Sequence, residues 1–238
     1  IEVVLTGNTY QAAFTESSPV STFNSGNQIL LNASGSLQID NRILTYMDNQ
    51  WKAENEFSWS DITGKTNITA LYPVYPDLDY IQENLYKNNS LEDILYVKDE
   101  FPAGNSIHLQ FKHLFSLLTL HLEGNLQTYF QKIEVTCPAV SSIIPKSAEI
   151  VLADNGTHTT TIAQVSPSGN YSFIVPPVGN MVIAINMVTN GKKYTTQLET
   201  KSFTGNKEYT YHLKISEKTP GIMTAEDWIA FSQLINSN

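Results

Sequence analysis

The chain has 238 residues and a formal charge of −9, from 14 basic and 23 acidic side chains. Arg42 is its sole arginine, so bidentate readout of phosphates or guanines has almost no raw material, and no nucleic-acid partner is expected. Cys137 is its sole cysteine, which rules out an intramolecular disulfide and a cysteine-rich metal site.

Such a length suits one large β domain or two of roughly 100–120 residues, and either can bury a core. Low charge combined with many Thr, Tyr, Val and Ile favours half-buried strands over helices. Runs of alternating polarity, bounded by turn residues, recur along the chain and predict an all-β sandwich architecture. Glu2 to Thr6 opens it and stops at Gly7-Asn8. Asn27 to Leu31, Arg42 to Met47, Trp51 to Ala53 and Asn67 to Tyr72 follow, the last ended by the prolines at 73 and 76. Leu78 to Tyr96 has mixed helical character, and Ser90-Leu-Glu-Asp is a capping-box type of helix start.

Near mid-chain the pattern changes phase. Ile107, Leu109 and Phe111 are apolar on odd numbers, whereas Leu118, Leu120 and Leu122 are apolar on even numbers. Strand side chains alternate faces, so the switch predicts two strands meeting between Lys112 and Leu117, across a bulge or a boundary between two sandwiches. Its mid-chain position favours the boundary.

Beyond it, Lys132 to Thr136, Glu149 to Ala153, Thr159 to Gln164 and Asn170 to Val175 are predicted strands. Asp154-Asn-Gly and Pro167-Ser-Gly-Asn are read as turns between them. Met181 to Val188 and Lys193 to Glu199 flank Asn190-Gly191, the strongest hairpin signal present. Glu208 to Ile215 closes the set with Tyr209, Tyr211, Leu213 and Ile215 on one face. After Pro220-Gly221, Thr224 can cap a short helix carrying Trp228, Phe231, Leu234 and Ile235 as a stripe. No apolar run of membrane-spanning length or signal peptide is visible, and an opening Ile1 suits a processed exported protein or any trimmed chain.

Five segments follow one another in a distinctive order: Thr22-Phe-Asn-Ser-Gly-Asn-Gln-Ile, Trp51-Lys-Ala with Phe57-Ser-Trp, Ile68-Thr-Ala-Leu-Tyr-Pro, Leu91-Glu-Asp-Ile-Leu-Tyr and Phe111-Lys-His-Leu-Phe-Ser-Leu-Leu-Thr-Leu. Together they resemble the fimbrillin-like family of Bacteroides-type surface proteins, and the likeness spans about residues 1 to 217. The resemblance implies two tandem transthyretin-like β-sandwich domains, here 1–115 and 116–217, with 218–238 as linker and helix. It also implies an exported lipoprotein on the outer membrane of a Gram-negative bacterium, anchored through a lipidated N-terminus outside this chain.

Its implied role is a non-enzymatic adhesin or a fimbrial tip or anchor component. Its partners would be other fimbrial or surface proteins, joined by strand addition, or surface ligands of host or bacterium. Glu2, Val3, Val4, Leu5 and Thr6 would form the exchangeable first strand. Asn27 stands where the family's early motif has an acidic residue. The Pro-Gly break and helix stand where stalk subunits carry extra strands, which disfavours a shaft role. A segment like Ile222 to Phe231 leads into a further extracellular module in some long relatives, so the tail reads either as the start of one or as a helix docked on the sandwich.

Catalytic signatures are sparse. The histidines at 108, 113, 121, 158 and 212 form no metalloprotease motif, and no Gly-x-Ser-x-Gly occurs. His108, His121 and His212 fall on the polar phase of their runs, and His113 at the junction is read as a structural hydrogen-bonding group. Asp77 and Asp79 are read as a solvated loop, and Cys137 as strand-end packing. No enzyme, cofactor or metal ligand set is expected. Most first-half aromatics are read as core, with Tyr75 and Tyr80 expected as an exposed binding rim. The aromatic-rich first half and the acidic charge motivate the alternative of a carbohydrate-binding surface lipoprotein in a glycan-uptake system, with Tyr75 and Tyr80 as its binding rim.

Overall fold

The computed structural model describes residues 2–10, 23–48, 50–54, 63–103, 107, 109–124, 130–166, 168–189 and 192–216. Their regular structure is nearly all strand, in agreement with the all-β expectation. The predicted tail helix and Trp59 lie outside the described residues.

The first half builds a six-stranded sheet. Its strands are β2 (Gln28–Gly35), β3 (Ile39–Met47), β4 (Gln50–Ala53), β5 (Thr66–Tyr72), β8 (Leu95–Phe101) and β9 (Lys112–His113), in the order β4-β3-β2-β5-β8-β9. Between β5 and β8 lie a 3₁₀ turn (Pro76–Leu78), a single helical turn α1 (Gln82–Leu85) and a ribbon of β6 (Tyr86–Lys87) with β7 (Ser90–Leu91). The helix start expected at Ser90 is therefore a strand. Asn88 and Asn89 have φ of 50° and 60°, the two left-handed positions of a type I′ hairpin loop, and they outweigh the capping signal.

The second half, together with β1 (Glu2–Tyr10), forms two four-stranded sheets. In one, β1 is followed by β16 (Glu208–Ser216), β10 (Ser116–Gly124) and β13 (Gly169–Val175). In the other, β12 (Glu149–Val165) is followed by β11 (Phe130–Ile144), β14 (Gly179–Thr189) and β15 (Lys192–Ser202). The hairpin expected at Asn190-Gly191 is reflected in the pairing of Thr189 with Lys192. The turn expected at Asp154-Asn-Gly is not a turn. It is a bulge within β12, where the register jumps from Leu152 opposite Val140 to Thr157 opposite Pro138. Asn155 takes φ 54°, a conformation that serves a bulge as well as a hairpin loop, so the dipeptide does not decide between them.

Three apolar clusters hold this arrangement. The two four-stranded sheets enclose Leu118, Leu120, Leu122, Phe130, Ile133 and Leu213 with their neighbours, and Tyr209, Tyr211 and Ile215 lie on that inner face as predicted. One face of the six-stranded sheet buries Ile29, Leu31, Ile68 and Val97, against which Trp51, Ile107, Leu109 and Phe111 pack. The change of core is real, since odd-numbered residues before Lys112 pack on one cluster and even-numbered residues after Leu117 line another. Residues 107 and 109–111 lie outside any strand, however, so the first of the two expected strands is not formed there.

The third cluster lies between them. Leu30, Leu71, Leu85, Ile94, Leu114 and Phe115 from the first half meet Val140, Ile143 and Ala148 from the β11–β12 hairpin. The boundary expected at 115/116 falls inside this shared cluster, and β1, expected in the first domain, pairs with β16. The turn before β16 tightens the junction: Asn206 N–H donates to the Phe115 carbonyl at 2.9 Å. Only glycine fits at position 205, because a Cβ there would lie 2.4 Å from the Leu114 carbonyl oxygen.

Candidate functional site

Tyr75 and Tyr80 do not form an exposed rim. They are 6% and 2% exposed, and their rings meet edge to face at 5.1 Å in the shared cluster. The Tyr75 hydroxyl donates to Glu92 at 2.7 Å, and the Tyr80 hydroxyl donates to the Pro73 carbonyl at 2.7 Å. Burial, with the Glu92 carboxylate beside Tyr75, pushes both phenols well above their ordinary range. The prolines do end β5, but the loop folds back on the β11–β12 hairpin, where Ile143 N–H donates to the Tyr80 carbonyl. Sequence periodicity carries no information about this return. Asp77 and Asp79 are exposed, as expected of a solvated loop.

His113 is the structural histidine its position suggested. Its Nδ1 lies 2.8 Å from Asp93 Oδ2, with the residues 9% and 8% exposed. A His–Asp pair is the start of a catalytic relay, but a relay needs a nucleophile and an accessible substrate position. This pair sits at the junction between the two halves, and neither member lines the groove described next. Cys137 lies buried within β11, where loss of solvent pushes its thiol up to about 12, an inert state.

A groove of about 700 Å³ opens where the Lys146-Ser147 turn rests on the six-stranded sheet. Asn32, Asp40, Asn67, Lys98 and Glu100 are among its lining residues. Lys146 spans it in an ion pair with Asp40 at 2.8 Å, and Thr69 donates to the Lys146 carbonyl at 3.1 Å. Asn32 accepts from Asn41 N–H at 2.9 Å while its Nδ2 has no protein partner. The groove can hydrogen-bond a small polar group, but no aromatic ring among the described residues lines it to stack on a sugar.

The expected first strand, Glu2 to Thr6, is part of β1, which runs antiparallel to β16 from Glu2 opposite Ser216 to Tyr10 opposite Tyr209. The register slips between Leu5 and Gly7. Among the described residues β1 is the outermost strand of its sheet and pairs only with β16. β16 in turn supplies Tyr209, Tyr211, Leu213 and Ile215 to the sandwich core, so among the described residues β1 is the only strand laid along that core's outer ladder.

The described residues thus form an all-β fold with β1 as an edge strand of one sheet. The profile of the fimbrillin-like family matches residues 9–228, and the chain belongs to that family. No curated protein sequence matches the chain. A solved structure of a candidate cell adhesion protein from Bacteroides uniformis is similar at a TM-score of 0.59 and 13% identity, covering 87% of this chain and 90% of that one. A second candidate cell adhesion protein, from Bacteroides ovatus, matches at a TM-score of 0.54 and 13% identity, over 84% of this chain and 85% of that one. At such identity the likeness is one of fold.

Proposed function

We propose that this chain is a non-enzymatic cell-surface protein of the fimbrial and adhesion type, serving as an adhesin or as a tip or anchor component. It would join its neighbours by exchange of the strand laid along β16. The observation that carries this reading is the placement of β1. It is an edge strand, contiguous in sequence, that covers a ladder backed by the main sandwich core. Its removal leaves unpaired backbone groups beside apolar side chains, a surface that a donor strand satisfies through main-chain hydrogen bonds. Membership of the fimbrillin-like family supports the same role. The glycan-uptake alternative loses its candidate binding rim, because Tyr75 and Tyr80 are buried.

The test is deletion of residues 1–10 followed by addition of a synthetic peptide of that sequence. The shortened chain should melt lower, bind the peptide with equal stoichiometry, and recover stability in proportion to occupancy. A shortened chain as stable as the parent, and blind to the peptide, would overturn the exchange reading.

A further inference from the structure

On the outer face of the β1-β16-β10-β13 sheet, β10 and β16 run parallel, with His121 opposite His212 and Glu123 opposite Lys214. Alternation sends Leu120, Leu122, Tyr211 and Leu213 into the core, so these polar side chains project outward together. The two imidazole rings lie 4.9 Å apart, tilted by 60°. Glu123 Oε1 is 3.1 Å from His212 Nδ1 and 3.5 Å from His121 Nε2. One donor atom from each of the three residues falls within 4.8 Å of the other two.

We propose that His121, Glu123 and His212 form a binding site for a zinc ion. Two imidazole nitrogens and one carboxylate oxygen are a zinc-type donor set, whereas calcium and magnesium require mostly oxygen. Tetrahedral zinc with bonds of about 2.0–2.1 Å places its donors roughly 3.3–3.4 Å apart. The two separations to Glu123 already bracket that value, so the principal adjustment is the approach of one imidazole to the other. Side chains 36%, 48% and 34% exposed, in the order His121, Glu123, His212, have room to make it. The same exposure leaves the fourth position open to water.

A neighbouring strand orients the site. Asn170 on β13 lies opposite His121, and its Oδ1 is hydrogen-bonded to His121 Nδ1. A proton held on Nδ1 leaves the Nε2 lone pair pointing towards the Glu123 carboxylate. In a neutral ring these two electron-rich groups repel, and a cation between them turns the contact attractive. An outer hydrogen bond of this kind fixes the tautomer of a metal-binding histidine. On the far side, β1 presents Gly7 opposite His212, so no side chain from that position crowds the ion. Lys214, exposed beside Glu123, is the nearby positive charge that weakens the site.

Titration of the full chain, free of any histidine tag, with Zn²⁺ by calorimetry tests the assignment, with Co²⁺ as a spectroscopic probe of coordination. The expected result is one saturable Zn²⁺ per chain, no comparable binding of Mg²⁺ or Ca²⁺, and a loss of at least about tenfold in affinity for His121→Gln or His212→Gln. Asn170→Ala should weaken binding without abolishing it. These residues are partly exposed on a strand face, so the variants should keep the parent circular dichroism spectrum. Protection of His121 and His212 of the parent chain from an acylating reagent by Zn²⁺, read by peptide mass, gives an answer independent of substitution. The proposal is overturned if the parent shows no stoichiometric Zn²⁺ uptake. It is equally overturned if the His121→Gln/His212→Gln double variant binds Zn²⁺ as the parent does, or if Zn²⁺ leaves both histidines unprotected.

Discussion

Truncating Phe115 to alanine probes whether the shared cluster makes one cooperative body of the two halves. Phe115 is 0% exposed and packs in the cluster that joins Leu30, Leu71 and Ile94 to Val140 and Ile143. Removing a buried phenyl ring costs about 3–5 kcal/mol, since the lost transfer energy is compounded by an unfilled cavity. Unfolding entropy of about 2.1 cal/mol/K per residue over 238 residues amounts to about 0.5 kcal/mol/K. A loss of about 4 kcal/mol therefore lowers the melting temperature by about 8 °C if the whole chain melts together. Were only one half to melt as a unit, the same loss would move that unit by about 16 °C and leave the other in place. Scanning calorimetry of parent and variant separates the two cases. A single transition displaced by the smaller amount is expected. Two transitions with only one displaced would refute the idea that the middle cluster couples the halves.

Alkaline stability offers a second check, because burial raises the Cys137 thiol from an ordinary value of 9.0 to about 12. A pKa raised on folding favours the neutral thiol, so its contribution is complete below pH 9 and is lost as pH climbs from 9 towards 12. Denaturant unfolding at about pH 8 and about pH 10 should show the parent losing about 1.4 kcal/mol that Cys137→Ala does not lose. Equal losses in both chains would mean that the thiol is not shielded from solvent as placed. The third concerns Arg42, which lies within β3 opposite Leu31 of β2. An arginine-specific protease should leave the folded chain intact at this bond while cutting it in denaturant, and the uncut chain should stay monomeric; prompt native cleavage followed by polymer would contradict both expectations.

Much of the strand layout was legible in local sequence. Proline ended β5 after Tyr72, Thr189 paired with Lys192 on either side of the hairpin signal, and the change of apolar parity around Lys112 separated two cores. These signals are short-range, and short-range physics suffices for them. Where two local signals competed, reading along the chain chose wrongly at Ser90, because an Asn-Asn pair tolerates left-handed angles nearly as well as Asn-Gly. At Asn155 the same tolerance was spent on a bulge rather than on a reversal. The burial of Tyr75 and Tyr80 was not legible, since it depends on a β11–β12 hairpin some sixty residues later. Nor was the meeting of His121 with His212. Each read as an isolated polar position until a parallel pairing, which no turn residue announces, set the two strands in register. The buried His113–Asp93 bond, by contrast, follows the expectation that a junction histidine makes a structural contact.

The direction of β1 against β16 has a mechanical meaning. Glu2 and Ser216 lie side by side at one end of the ladder, and Tyr10 and Tyr209 at the other. Tension drawing Glu2 away from Ser216 opens the pairs in succession, like a zip, so each step resists with the modest strength of about one hydrogen-bonded pair. Tension drawing Tyr10 away from Ser216 along the strands loads every pair at once, in shear. The same strand is therefore weak against peeling and strong against sliding. An appendage exposed to flow would hold best where force enters this ladder lengthwise, and would release most readily where it enters at the Glu2 end.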